Sequence, residues 1–150
     1  MGGVEAVSGR WPLVSLVLDS SVTLAWLYSD ELTDPVRQVF ERVTSSRAWV
    51  PGLWRLEVAN GLHTAVRRRR VDAAFRDASL ADLALLNIGT DPDTDTFAWS
   101  STLQLADRHS LTVYDAAYLE LALRLSLPLA TLDQELRAAA QHAGLALLGV

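Results

Sequence analysis

Short apolar runs alternate with amphipathic segments along this chain, and the alternation limits the folds that it can form. Residues 14–18 predict a buried central strand, and residues 48–50 predict a second strand that ends at a proline and a glycine. Residues 128–131 and 145–148 predict two further strands, the last of them at a sheet edge. Because helical segments separate these strands, we expect an α/β fold, a three-layer α/β/α sandwich with a mostly parallel central sheet.

The segments between the predicted strands carry signals for helices. Asp34 followed by Pro35 predicts the N-cap and the first position of a helix that ends near Thr44. A turn is expected over residues 89–95, and a single helix is expected over residues 96–108. These signals continue the alternation of strands and helices through the second half of the chain.

The length of 150 residues suits one domain with a sizeable core, and 50% of the residues are hydrophobic. Residues 1–13 contain glycine, serine and proline without a clear period, so we expect a flexible leader there and a single domain over residues 14–150. The leader lacks the apolar centre of a signal peptide, and no apolar run reaches the roughly 18 residues that a membrane helix needs. We therefore expect a soluble, cytoplasmic protein with no membrane partner.

Two residue types are missing, and their absence excludes several classes of enzyme. Without cysteine the chain can form no disulfide, no thiol nucleophile and no cysteine-ligated metal site. All 13 basic residues are arginine, so a P-loop nucleotide site, which requires a lysine, is excluded as well. The three histidines stand apart and lack the spacing of a zinc-hydrolase motif. Carboxylates and arginines remain as the candidates for chemistry.

Four acidic residues stand next to buried-looking sequence and are the main candidates for a functional site. Asp19 ends the first apolar run, and Glu57 lies on the polar stripe of a predicted helix. Asp115 and Asp133 stand where later helices begin. Carboxylates that converge repel one another and raise each other's pKa unless a cation is present. Because Mg²⁺ and Mn²⁺ prefer such oxygen ligands and leave room for a phosphate, the pattern suggests a metal-dependent phosphoryl-transfer site.

Each of these acids also has a purely structural explanation. Asp19 could be a turn or helix-cap residue, and the glutamate could belong to a solvated helix face. Thr112 and Asp115 fit a relaxed capping box. A similar pattern at Thr131 makes Asp133 a first-turn acid that the helix dipole favours. Taken singly, the acids therefore do not decide between a structural and a functional explanation.

A local basic block contrasts with the net charge of −5, which does not by itself predict a nucleic-acid partner. The block consists of Arg67, Arg68, Arg69 and Arg70. It can steer a polyanion such as RNA toward one edge of the protein. Cations in the last turn of a helix also stabilise the helix dipole, by about 0.3–1 kcal/mol each. Both explanations stay open, and the four arginines are candidate RNA-binding residues.

Taken together, the motifs resemble a known family. VLDSS, LEVAN, LTVYDAAYLELAL and LATLDQEL follow one another in the order and spacing of the PIN-domain ribonucleases. The resemblance is strongest to the VapC-type toxins of prokaryotic type II toxin–antitoxin systems. It implies that Asp19, Glu57, Asp115 and Asp133 are the catalytic, metal-binding acids for one or two Mg²⁺ or Mn²⁺ ions. It also implies that Thr131 and Asn60 lie next to the acids and support them without binding the metal themselves.

The same resemblance implies a function and partners. We expect an endoribonuclease that hydrolyses RNA phosphodiester bonds with metal-activated water and acts as the toxin of a toxin–antitoxin pair. A homodimer is expected, together with a cognate antitoxin whose C-terminal segment crosses the active-site groove. Two alternatives stay open: a catalytically silent PIN-like module that binds RNA or protein, and another Mg²⁺-dependent phosphoesterase or DNA nuclease on the same scaffold.

Overall fold

The central sheet is built from short parallel strands. The computed structural model describes residues 15–150, and the predicted leader over residues 1–13 lies outside them. The strands of the described part are β1 (Leu16–Leu18), β2 (Ala48–Val50), β3 (Ile88–Thr90), β4 (Leu129–Ala130) and β5 (Leu147–Leu148). They form one sheet in the order β3-β2-β1-β4-β5, and every pairing is parallel. With helices flanking this sheet, the predicted α/β fold is confirmed, and β5 is an edge strand as expected.

Helices connect the strands throughout. They are α1 (Ser20–Ala25), α2 (Asp34–Ser45), α3 (Trp54–Arg67), α4 (Ala73–Leu83), α5 (Thr94–Ala98), α6 (Ser101–His109), α7 (Val113–Leu125) and α8 (Gln134–His142). Within residues 15–150, none of these helices combines the length and the apolar character that crossing a bilayer requires.

The hydrophobic core holds β1 at its centre. Leu16, Val17 and Leu18 are each 0% exposed, as expected for a parallel strand that is covered on both faces. Burying one such side chain stabilises a fold by about 1.5–3 kcal/mol. Helix α7 is buried without interruption over residues 116–122. Because Asp19 follows β1 and Asp115 lies in the first turn of α7, the packing of the core fixes where both acids lie.

The turn predicted over residues 89–95 is wrong at its start, because Gly89 lies within strand β3. The reason is a close approach to the neighbouring strand. A Cβ atom at Gly89 would lie 2.8 Å from the ring of Trp49, its partner in β2. Glycine therefore serves here to leave room for the neighbouring indole ring, not to turn the chain.

The single helix predicted over residues 96–108 is also wrong, because the segment forms two helices, α5 and α6. The break falls at Ser100, which has a non-helical backbone with φ −121° and ψ −101°. Helix α5 is held by a tertiary contact instead. The guanidinium of Arg124 lies 4.5 Å from the centre of the Phe97 ring, so α5 packs against α7.

The helix caps differ partly from those expected. Thr33, not Asp34, accepts the capping hydrogen bond of α2, and Asp34 becomes the first residue of the helix. Thr112 caps α7 as predicted. At α8 the cap is Asp133 itself, not Thr131, because the aspartate carboxylate accepts the capping hydrogen bond directly. Thr131 is thereby free to make other contacts.

Candidate functional site

Asp19 lies directly after the central strand, and its side chain is 4% exposed. Its Oδ2 atom accepts hydrogen bonds from the hydroxyls of Ser21, at 2.6 Å, and of Thr131, at 2.8 Å. Burial raises the pKa of Asp19, and the two hydroxyl donors oppose that rise without cancelling it. The strand ends therefore hold a buried carboxylate in a fixed orientation.

Thr131 links Asp19 to a second acid. It follows β4, which pairs directly with β1, and it is completely buried. Its hydroxyl donates to Asp19 and accepts a 3.0 Å hydrogen bond from the backbone N–H of Asp133. Asp133 uses one carboxylate oxygen to cap α8, accepting from the N–H of Leu136 at 2.9 Å. Asp133 thus has a structural role as the helix cap, in place of the first-turn position expected for it, and it also lies beside the other acids.

Glu57 reaches the same region from the first turn of α3. Its Oε1 atom accepts hydrogen bonds from the hydroxyl of Tyr118, at 2.5 Å, and of Ser20, at 3.3 Å. Burial raises the pKa of Glu57, the Tyr118 hydroxyl lowers it in part, and the charge of Asp19 raises it further. Glu57 and Asp19 therefore lie close enough to repel each other.

Asp115 lies within electrostatic range of the other three acids. Burial raises its pKa to about 6, and the charges of Asp133, Asp19 and Glu57 each contribute, in that order after burial. The charges of three carboxylates can raise the pKa of a fourth only if all of them lie near it. Strand β1 and helices α3, α7 and α8 thus bring together all four acids that the sequence singles out.

Within the described part of the chain, the convergent acids have no basic partner. Among residues 15–150, none of the four forms an ion pair, whereas Arg124 neutralises Asp91 at 2.6 Å and Glu120 at 2.8 Å elsewhere in the fold. Crowded, unpaired carboxylates with hydroxyl neighbours are the hard oxygen donors that Mg²⁺ and Mn²⁺ prefer. Within the same residues, no three acidic or histidine side chains are close enough to form a ready-made ligand cluster. The donor chemistry fits a divalent cation, although the carboxylates stand farther apart than a ligand cluster requires.

The other candidate residues lie outside this cluster. Asn60 is one turn beyond Glu57 on α3, and its exposed side chain forms no hydrogen bond within the described part of the chain. Arg67 ends α3, about 15 Å from Glu57 along the axis at roughly 1.5 Å per residue. Arg70 pairs with Glu31 at 2.6 Å, and its guanidinium lies 3.7 Å from the centre of the Tyr28 ring.

The arginines of the block therefore differ in their surroundings. Arg67, Arg68 and Arg69 are exposed and form no ion pair with residues 15–150. Arg70 also pairs with Asp30 at 3.4 Å, so it holds the end of α3 against the loop that follows α1. The first three are available to a ligand, and Arg70 is engaged in the fold.

Sequence reasoning missed three hydroxyl residues of the site: Ser20, Ser21 and Tyr118. Tyr118 had a detectable signal, because it stands three residues after Asp115 and thus on the same face of a helix. Both serines directly follow Asp19, and the local sequence does not show that their hydroxyls contact a carboxylate. Their contacts depend on which residues α3 and β4 bring close.

Comparison with known proteins gives a consistent family and fold. Residues 16–141 match the PIN domain family. No curated protein matches the sequence. The fold is similar to the crystal structure of PAE2754 from Pyrobaculum aerophilum, with 25% sequence identity and a TM-score of 0.65 over 90% of this chain and 83% of that one.

Two further solved structures share the fold at lower identity. VapBC2 from Rickettsia felis, bound to a DNA fragment from their promoter, is 12% identical with a TM-score of 0.60, over 89% of this chain and 96% of that one. FitAcB from Neisseria gonorrhoeae is 15% identical with a TM-score of 0.60, over 88% of this chain and 95% of that one. At these identities the likeness shows the fold alone.

Proposed function

Because the chain belongs to the PIN domain family, whose members are generally nucleases, we propose that it is a Mg²⁺- or Mn²⁺-dependent endoribonuclease and the toxin of a toxin–antitoxin pair. One observation carries the nuclease proposal. The pKa of Asp115 is raised to about 6 by burial and by the charges of three other carboxylates, and within residues 15–150 none of the four acids has a basic partner. A site that concentrates negative charge in this way favours a divalent cation.

The four acids would hold the cation, and they differ in how firmly hydrogen bonds hold their side chains. Asp19 is fixed by two hydroxyls, and Glu57 is fixed by two others. Asp133 has one oxygen committed to its helix cap. Asp115 is half-buried at the start of α7, so part of its side chain is accessible to a substrate. When bound, the cation supplies positive charge that activates water at neutral pH and stabilises charge on the phosphoryl group.

The proposed reaction is hydrolysis of an RNA phosphodiester bond. A water oxygen forms a bond to phosphorus while the bond from phosphorus to the 3′ oxygen breaks, and that oxygen takes up a proton. The products are then a 5′-phosphate end and a 3′-hydroxyl end. This reaction requires neither a catalytic lysine nor a catalytic histidine, which agrees with the composition of the chain.

The exposed arginines at the end of α3 are the proposed contacts to the RNA backbone. Arg67, Arg68 and Arg69 are about 15 Å or more from Glu57 along the helix, so they would bind phosphates away from the cleaved bond. A guanidinium binds phosphate through two parallel hydrogen bonds. The net charge of −5 limits the affinity for RNA that is not held by the site.

The toxin assignment rests on the VapC-like motifs and on folds shared with VapBC2 and FitAcB. We therefore propose a cognate antitoxin as the partner, a homodimer as the assembly, and the cytoplasm as the location. Co-expression with the product of an adjacent gene, followed by purification, tests the antitoxin. Light scattering of the free protein tests the dimer.

A catalytically silent binding module is a second candidate, and one observation favours it. No three acidic or histidine side chains among residues 15–150 are at chelating distance in this structure. A silent module would bind RNA or a protein partner without metal-dependent cleavage. Metal titration and an activity assay separate the two functions.

The decisive experiment is cleavage of a mixed cellular RNA pool by the purified protein in Mg²⁺, in Mn²⁺ and in EDTA. Asp115→Asn tests the site, and Asp107→Asn is a matched control, because Asp107 is an exposed acid on α6 outside the cluster. We expect discrete fragments with 5′-phosphate ends that disappear with EDTA and with Asp115→Asn only. Fragments with 2′,3′-cyclic phosphate ends would exclude the mechanism. Cleavage of DNA alone would favour the DNA nuclease, and absence of all cleavage would favour the silent module.

A further inference from the structure

The two oxygens of the Glu57 carboxylate have different surroundings. Oε1 accepts both hydrogen bonds that this side chain receives, from Tyr118 at 2.5 Å and from Ser20 at 3.3 Å. Oε2 accepts none from residues 15–150. The described part of the chain also contains no enclosed side-chain oxygen without a partner, so Oε2 is open to solvent. In Glu57, hydrogen bonds therefore occupy Oε1, and Oε2 is open to solvent.

Tyr118 is the more rigid of the two donors. Its side chain is 0% exposed, although its hydroxyl reaches the half-buried Glu57. A phenol in such a position is held by the packing of α7 and has a single proton to donate. Ser20 is a weaker restraint, because its hydrogen bond is longer and its hydroxyl can rotate. The orientation of Glu57 thus depends mainly on one buried aromatic residue on another helix.

On the basis of the function proposed above, we infer that Tyr118 is a positioning residue: with Ser20 it occupies Oε1 of Glu57 and leaves Oε2 as the one oxygen of this carboxylate that can bind a divalent cation. A glutamate has several rotatable bonds, and Asp19 repels this one. Without the tyrosine hydroxyl, the side chain can turn away from the other acids into solvent. Tyr118 would then act through Glu57 and would not touch the substrate.

Tyr118→Phe is the direct test, because it removes only the hydroxyl and keeps the buried ring. Mn²⁺ binding is measured without substrate, by the loss of the electron paramagnetic resonance signal of free Mn²⁺. We expect affinity to fall about tenfold, the size typical of losing a group that orients a metal ligand. Tyr114→Phe is the matched control, since Tyr114 lies on the same helix, is 63% exposed, and has no hydrogen bond from its hydroxyl to residues 15–150. Its affinity should equal that of the wild type.

A double-mutant cycle shows whether Tyr118 acts through Glu57. Glu57→Gln weakens Mn²⁺ binding by itself, and adding Tyr118→Phe should then change the affinity by less than about twofold, because coupled residues are not additive. If Tyr118→Phe lowered the Mn²⁺ affinity of the Glu57→Gln protein as much as it lowers that of the wild type, the inference would be overturned. So would a wild-type affinity in Tyr118→Phe alone.

Two further outcomes separate this inference from the proposed function. If Tyr118→Phe fails to fold, Ser20→Ala removes the other donor to the same oxygen and should lower Mn²⁺ affinity in the same direction. An unchanged Mn²⁺ affinity in Ser20→Ala would then contradict the inference that Ser20 and Tyr118 together hold Oε1 of Glu57. If the wild type binds no Mn²⁺, the metal-dependent function fails, and the inference fails with it. If the wild type binds Mn²⁺ and the Tyr118 and Ser20 variants bind it equally well, only the inference fails.

Discussion

Thr131 donates a 2.8 Å hydrogen bond to the Asp19 carboxylate, although the two residues are 112 positions apart in the sequence. They meet because each follows one of two neighbouring parallel strands, β4 and β1. The carboxyl ends of parallel strands lie at one edge of a sheet, which is where open α/β folds place functional groups. This contact joins the first and the last of the four sequence motifs.

Removing the Thr131 hydroxyl should destabilise the fold. Thr131→Val keeps the shape of the side chain but leaves the buried Asp19 carboxylate with one hydroxyl donor, so the free energy of unfolding should fall by about 1–3 kcal/mol. Thr131→Ser keeps the hydroxyl and should lose less. Urea unfolding in EDTA measures both variants. A larger loss for serine, which lacks the methyl group, than for valine would show that packing, not the hydrogen bond, is what matters.

Asp115→Asn should stabilise the protein in a pH-dependent way when no metal is bound. The pKa of Asp115 is raised in the fold from its ordinary value of 3.8 to about 6. The folded state therefore holds this proton more tightly, and the free energy of unfolding falls as pH rises from about 4 to about 6. Asparagine cannot ionise, so above pH 6 the variant should be more stable than the wild type, by about 1 kcal/mol after allowance for solvent screening.

Thermal unfolding in EDTA at pH 4, 6 and 8 measures this effect. The difference between variant and wild type should be small at pH 4 and largest at pH 8. Asp107→Asn, an exposed acid on α6, serves as the control and should show no such trend. A stability difference that stays constant across the pH range would mean that the fold does not disfavour the charged form of Asp115.

Arg124→Met should be strongly destabilising. Burial alone would raise the pKa of Asp91, but the hydrogen bonds and charge of Arg124 lower it overall, so the carboxylate depends on this arginine. Met would leave the buried Asp91 and Glu120 without a cation, at a cost of about 3–5 kcal/mol. Arg108→Met is the matched control, because Arg108 is exposed on α6 and forms no ion pair with residues 15–150. Urea unfolding at pH 7 should show a large loss for the first variant only.

Arg68→Ala and Arg70→Ala should separate RNA binding from stability. Arg68 is exposed and unpaired among the described residues, so its loss should weaken RNA binding. The slope of the logarithm of the binding constant against the logarithm of salt concentration should fall in magnitude by about one. Arg70 is held by Glu31 and Tyr28, so its loss should lower the melting temperature instead. Filter binding to the inactive Asp115→Asn protein at several salt concentrations, together with thermal unfolding, measures both. If the two variants had the same effects, the block would act as one unit.

Much of the fold follows from local sequence, because a parallel strand that is buried on both faces needs an uninterrupted apolar run. The predicted strands at residues 48–50 and 128–131 correspond to β2 and β4, and Thr112 caps α7 as its hydroxyl and position suggest. The caps at Thr33 and Asp133 were local errors of one or two positions, whereas two other failures involve residues that are far apart in the sequence. Gly89 lies in a strand beside Trp49, and the short helix α5 packs against Arg124 through Phe97.

The sequence by itself determined four of the five strands of the described residues and the four acids worth considering, since these depend on residue types and short-range periodicity. It could not determine which hydroxyls hold those acids. Tyr118 reaches Glu57 from 61 positions away, and Thr131 reaches Asp19 from 112 positions away. Such contacts exist only after parallel strands have aligned their carboxyl ends and the helices have packed against them. Only the tertiary structure therefore decided how the carboxylates are oriented and how strongly they repel one another.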